Sequence, residues 1–273
     1  MSSLGSIQRH ENFASKFVIP RNVDVWLPPH YSESAAAFPV IYMHDGQNLF
    51  APLSSISGAS WELDKAIVNL IDAQKINDII VVGIWNHGDT RWREYMPQKP
   101  YWSLGLRKHH EAFINRAGGD PLSDAYLKYL VEELKPFIDS NYRTLPSQQN
   151  TFVMGSSMGG LISLYAISKY PNIFYGAGCL STNWPAGEHE LVDEMAKMLP
   201  SPENHKLYFD YGTEGLDALY EPYQRQMDKY LRQAGFTENV NWCTKKFEGA
   251  SHNEAAWCAR VDVPLSFLLS KAN

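Results

Sequence analysis

Apolar positions in this chain fall into clusters of two kinds. One kind is a brief continuous or alternating run closed by glycine, proline or a polar loop, which predicts a strand. Such runs occupy residues 17–20, 23–27, 38–43, 78–84, 151–154, 174–180, 207–211 and 240–247. The other kind recurs at helical spacing. It covers residues 61–75 (Trp61, Leu63, Ile67, Leu70, Ile71), 125–137, the stretch starting at Leu161, 188–198, 223–233, and a C-terminal segment with Trp257, Leu265 and Leu268. From residue 38 onward the two patterns alternate, and the strand runs at 38–43 and, after Asp78, at 78–84 are unbroken by polar side chains. Strands of that kind suit a sheet covered on both faces. The expected fold is α/β, with a mostly parallel central sheet and helices on both faces.

Residues 1–16 are polar and expected at the periphery, and residues 30–37 read as a surface loop. No repeat, low-complexity tract or linker divides the chain, so one domain over 1–273 is expected. Residues 96–120 have weak periodicity and the aromatics Tyr101, Trp102 and Phe113. They read either as a small cap over a pocket or as an ordinary surface excursion.

Composition narrows the function. A net charge of −6 without a long basic run gives no electrostatic case for nucleic acid or an anionic membrane. No 18-residue apolar run is present to span a bilayer. The polar N-terminus lacks an apolar signal core, which favours the cytoplasm unless a leader has been removed. Cys179, Cys243 and Cys258 are odd in number and lack a Cys-x-x-Cys spacing, so buried free thiols are expected rather than disulfides or a zinc site. No stretch argues for a homodimer, since packing on the sheet accounts for the amphipathic helices.

The chemistry centres on Gly155-Ser156-Ser157-Met158-Gly159, between a strand run and a helix run. Gly-x-Ser-x-Gly in that context is a nucleophile elbow: a sharp turn lifts the serine hydroxyl to the top of the sheet. A plain turn between strand and helix is the rival reading. The Met158 amide, at the start of the helix, would face a developing oxyanion. The loop His44-Asp45-Gly46-Gln47 leaves the 38–43 strand and would supply the second donor from the Gln47 amide. A metal pair from His44 and Asp45 is disfavoured, because no further ligands are spaced to complete it; no metal or organic cofactor is required.

A serine hydroxyl needs a general base. His252, after the 240–247 strand, is the candidate. Loops after parallel strands gather at one sheet edge, and here they supply serine, acid and histidine in that chain order. Asp210, Glu214 and Asp217 compete for the acid. Asp210 lies within its strand, and the other two lie in the outgoing loop. Trp184, Asp45 and Arg93 are the expected pocket residues, with a core position the alternative for Trp184.

The chain resembles the esterase family of α/β-hydrolases that contains feruloyl esterases, esterase D (S-formylglutathione hydrolase) and siderophore esterases. The resemblance spans about residues 17–270. It rests on 25–31 (Val-Trp-Leu-Pro-Pro-His-Tyr), 44–50 (His-Asp-Gly-Gln-Asn-Leu-Phe), 93–97 (Arg-Glu-Tyr-Met-Pro), 155–161, 212–217 and 249–254. It implies an α/β-hydrolase fold and hydrolysis of a small or medium carboxylic ester through an acyl-enzyme. It implies Ser157 as nucleophile, His252 as base, Asp217 as acid with Glu214 the alternative, and Gln47 and Met158 as oxyanion donors. Gly215 stands where many relatives carry an aspartate in a Gly-Thr-x-Asp pattern. The same machinery also serves acyltransferases, thioesterases and peptidases, and a non-catalytic binding scaffold is the remaining alternative.

Overall fold

The computed structural model describes residues 4–33, 35–50 and 59–270. Parts of the expected terminal segments and of the 30–37 loop lie outside them. Eight strands form one sheet: β1 (Ser6–Phe13), β2 (Arg21–Leu27), β3 (Val40–His44), β4 (Ile80–Ile84), β5 (Thr151–Ser156), β6 (Gly176–Leu180), β7 (Lys206–Gly212) and β8 (Trp242–Phe247). Their order is β1-β2-β4-β3-β5-β6-β7-β8. β1 and β2 run antiparallel to their neighbours, and all pairs from β4 to β8 are parallel. The α/β expectation therefore holds.

Every residue of β3, β4, β5 and β6 is buried. Alternate side chains feed two separate cores, as a sheet covered on both faces requires. Val40, Tyr42, Val82 and Val153 join one cluster with Leu161, Tyr165 and Met227. Ile41, Met43, Val81 and Met154 join the other with Ile67, Trp257 and Leu265.

The N-terminal expectation is corrected. Residues 17–20 form no strand, whereas polar residues Ser6–Phe13 do. β1 pairs along one side with β2 and keeps most of its side chains in solvent. Apolar periodicity reports burial, so it is blind to a strand held at an edge mainly by backbone pairing. Residues 96–120 are more ordered than their weak periodicity suggests. They contain helices Gln98–Tyr101 and His110–Ala117 around the 3-10 turn Leu104–His109, with Tyr101, Leu106 and Phe113 buried. Of the free cysteines, Cys179 and Cys243 are buried, and Cys258 is partly exposed.

The parallel register aligns the strand ends that matter. Ser156 of β5 pairs with Leu180 of β6, Leu180 with Asp210 of β7, and Gly212 of β7 with Phe247 of β8. The loops that follow these strands leave one edge of the sheet side by side. That edge, at the carboxyl ends of the strands, is where open α/β sheets carry their sites.

Candidate active site

Ser157 sits between β5 and the helix Met158–Lys169, with φ +59° and ψ −122°. A side chain held at positive φ is strained, and the surrounding packing maintains it. Gly155 makes the bend sterically feasible: a Cβ there would lie 2.9 Å from the Gly159 carbonyl carbon. Strand and helix thus approach closely through two glycines, as the elbow motif requires. The Ser157 amide donates to the Leu180 carbonyl, and the Asn183 amide donates to the Ser157 carbonyl. The elbow is thereby pinned to the loop after β6.

Asp217 lies in the 3-10 turn Gly215–Leu219 that follows β7 and is fully buried. Its Oδ1 is 2.6 Å from His252 Nδ1. Its Oδ2 accepts from the Gly212 amide and the Ser181 hydroxyl, each at 2.7 Å. Burial alone would raise the Asp217 pKa; the hydrogen bonds from His252, Ser181 and Gly212 outweigh it and hold the carboxyl below its ordinary value. Gly212 brings the two loops together, since a Cβ there would lie 2.1 Å from the Ala250 carbonyl oxygen. Of the three competing acids, Asp217 is the one that meets His252. Glu214 is exposed, and Asp210 is buried against Ser181 and Arg260.

His252 is packed edge-on by Trp257, at 5.0 Å between ring centroids, and by Tyr220, at 5.6 Å. Ser157 and His252 line a common cleft with two lobes. One, of about 530 Å³, is walled by Trp92, Phe113, Pro185, Ala186 and Leu216, with Arg116 at its edge. The other, of about 470 Å³, is more polar and is lined by Asp45, Asn86, Arg91 and Glu254. The Tyr220 hydroxyl donates to Asn183 Oδ1 at 3.2 Å. The sequence signal for Tyr220 was slight, an aromatic three residues past the acid.

Two backbone amides stand nearby without intrahelical acceptors. Met158 is the first residue of its helix, and Gln47 is the second of the 3-10 turn Gly46–Asn48. The turn containing Gln47 is strongly braced. Asp45, at φ +58°, caps it and receives Arg91 Nε and Nη2, each at 2.7 Å, and Asn86 Nδ2 at 2.7 Å. Burial alone would raise the Asp45 pKa, but Arg91 and then Asn86 hold the carboxyl below its ordinary value. The Asn86 backbone N–H also donates to Gln47 Oε1 at 3.2 Å. Arg91 is not among the expected pocket residues, whereas Arg93, two positions on, is.

Two expected pocket residues are placed elsewhere. Trp184 is fully buried, stacked on Phe209, and its Nε1 donates to Gln224 at 3.0 Å. It belongs to the core, and its neighbours Pro185 and Ala186 face the cleft. Arg93 turns away to donate to the Asp120 carbonyl at 2.7 Å. Glu94 forms a buried bidentate pair with Arg21, both contacts 2.7 Å.

His44 and Asp45 do not converge on a common point. Asp45 is committed to Arg91 and Asn86, and His44 Nδ1 meets the Tyr126 hydroxyl at 2.8 Å. Among the described residues, His109, Glu188 and Glu190 are the group spaced to hold a cation. The Lys108 ammonium already lies 2.8 Å from Glu190 and 3.7 Å from Glu188. No helix among the described residues is long and apolar enough to cross a membrane.

The sheet order and the elbow at Ser157 define an α/β-hydrolase. Residues 16–265 match the family model described as "Putative esterase", and the chain belongs to that esterase family. It is 25% identical to the uncharacterized protein YbbA of Bacillus subtilis, over 98% of this chain and 97% of the relative. Among solved structures it is similar to an IroE-like serine hydrolase from Shewanella oneidensis. That match has a TM-score of 0.70 and 19% identity, over 97% of this chain and 80% of the other. A ferulic acid esterase matches with a TM-score of 0.69 and 14% identity, over 97% of both chains. Its family makes the chain an esterase-type hydrolase.

Proposed function

We propose that the chain hydrolyses a carboxylic ester through an acyl-enzyme on Ser157. His252 takes the Ser157 proton as the hydroxyl attacks the carbonyl carbon, then returns it to the leaving alcohol. Water activated by His252 releases the acid. Asp217 holds the imidazole with its Nδ1 proton inward, so Nε2 is the basic nitrogen. The Gln47 and Met158 amides receive the oxyanion, each worth about 3–4 kcal/mol in the transition state. The observation that carries this reading is the strained Ser157 sharing a cleft with a histidine bonded to a buried aspartate.

The apolar walls of the larger lobe suit an apolar acyl or alcohol group. Residues 96–120 are read here as a cap, because His109, Phe113 and Arg116 contribute to that lobe. The single-domain reading is supported by one sheet that draws strands from both halves of the chain.

The test is turnover of 4-nitrophenyl acetate and butyrate by the purified chain and by Ser157→Ala. The variant should lose at least about 10⁴-fold in kcat while keeping its circular dichroism and melting temperature. A fluorophosphonate probe should label the wild type and spare the variant. Wild-type turnover persisting in Ser157→Ala, or a folded wild type that the probe never labels, overturns the assignment.

A further inference from the structure

Behind Asp217 the protein buries a second carboxylate and a guanidinium. Asp210, Ser181 and Arg260 are 1%, 0% and 3% exposed. Arg260 Nη2 lies 2.8 Å from Ser181 Oγ, 3.1 Å from Asp210 Oδ1 and 3.7 Å from Asp217 Oδ2. Trp257 Nε1 reaches the same Ser181 Oγ at 3.0 Å. Arginine and tryptophan can only donate. They fill the acceptor positions of the Ser181 hydroxyl, so its single hydrogen must point to Asp217. Ser181 is held at φ +41°, a strained conformation for serine.

The charges are unevenly matched. Two buried carboxylates share one cation, leaving a net negative charge while His252 is neutral. Protonating His252 completes the balance. Asp210 is only partly compensated, by Arg260, the Ser181 amide and the Tyr208 hydroxyl; burial raises its pKa above the ordinary value. Arg260 keeps Nε and Nη1 without a hydrogen-bond partner among the described residues, and the Phe247 ring lies 5.0 Å from its centre. A buried ion group of this kind is weak as a device for stability, since a well-packed apolar replacement often does as well.

We propose that Arg260 and Asp210 are opposed positioning residues that act through Ser181 and Asp217 to tune how readily His252 takes a proton. The inference rests on the assignment of His252 as base. Neither residue touches substrate. Other ionisable groups facing the imidazole are Tyr220 on its edge and, across the cleft, Glu254, the Asp45–Arg91 pair, His109, Glu188 and Arg116. None of these sits behind Asp217.

The test compares pH profiles of kcat/KM for Arg260→Gln, Arg260→Lys and Asp210→Asn. Removing the cation favours the imidazolium, so the acid limb of Arg260→Gln should move up by about 0.5–1.5 pH units. Removing the anion disfavours it, so the limb of Asp210→Asn should move down by a similar amount. Arg260→Lys should lie near wild type. A purely structural role lowers activity at every pH and moves neither limb in a set direction. Unmoved limbs, or limbs displaced the same way in Gln and Asn variants, overturn the proposal. Asp210→Asn is nearly isosteric and supplies a folded arm if Arg260→Gln does not fold. The His252 Cε1–H resonance, titrated by NMR, reads the same displacements without turnover. An inactive wild type would therefore sink the esterase reading, while the titration still decides the role of Arg260 and Asp210.

Discussion

His252 Nδ1 and Asp217 Oδ1 lie 2.6 Å apart, across two loops that leave neighbouring strands. The short contact fixes which imidazole nitrogen faces the cleft. In Asp217→Asn the side-chain amide can donate to Nδ1 and stabilise the wrong tautomer. The expected loss in kcat is about 10⁴-fold, with the fold retained. Glu214→Gln alters an exposed carboxylate and should stay within about twofold of wild type, as surface substitutions usually do. Steady-state kinetics of both variants checks the assignment. Equal losses would remove Asp217 from it.

Tyr220 bridges the serine loop and the imidazole. Its hydroxyl donates to Asn183, whose backbone amide donates to the Ser157 carbonyl, and its ring packs on His252. Tyr220→Phe keeps the ring and removes the hydrogen bond. One bond of this kind is worth about 1 kcal/mol, so kcat should fall about fivefold with KM nearly constant. A change confined to KM would place the hydroxyl in substrate binding instead.

The parts of this site that were legible in the sequence are those that local chain geometry dictates. The elbow at Ser157 needs Gly155 and Gly159 at fixed offsets, so three residues report one turn. His252 and Asp217 stood out because each follows a predicted strand, at residues 240–247 and 207–211. The acid stayed open among three carboxylates, because hydrogen-bond direction in a loop leaves no periodic trace. Arg260, Ser181, Arg91 and Tyr220 contribute through contacts across 30 to 80 residues of sequence, such as the 79 between Arg260 and Ser181. Such contacts arise from sheet register and have no local signature. Trp184 misled for the same reason. It follows β6 toward the site, yet its indole turns to Gln224 in the core. The edge strand β1 was missed because polar residues pair their backbones as well as apolar ones do.

Asp45 braces the turn that carries Gln47. Its carboxylate takes both Arg91 nitrogens, with the two side chains only 11% and 22% exposed. Asp45→Ala leaves the Arg91 cation largely buried without its partner, which should cost about 3 kcal/mol of stability. It should also lower kcat at least about tenfold, because the Gln47 amide loses its fixed position. Urea unfolding and kcat, measured together, test the two effects. A destabilised variant with wild-type kcat would show that Asp45 supports the fold alone.

His44 ends β3 with its ring packed between Tyr95 and Tyr126. Its Nδ1 meets the Tyr126 hydroxyl, and its Nε2 has no partner among the described residues. Burial pushes its pKa down to about 3 from 6.5; Asp45 opposes this and Arg91 adds to it. Between those two values the unfolded chain binds a proton that the folded chain refuses. Stability therefore rises with pH across that window and is lost on acidification, by about 1.4 kcal/mol per unit below 6.5. His44→Gln keeps a polar contact to Tyr126 and removes the titration. Its stability at pH 7 should fall below that of wild type, and the gap should narrow steadily toward pH 4. Carboxylates such as Asp217 and Asp45 titrate in both proteins, so they cancel in the difference. Urea melts at pH 7, 6, 5 and 4 measure it directly. Parallel stability curves would mean that His44 is protonated in the folded state or that water reaches it.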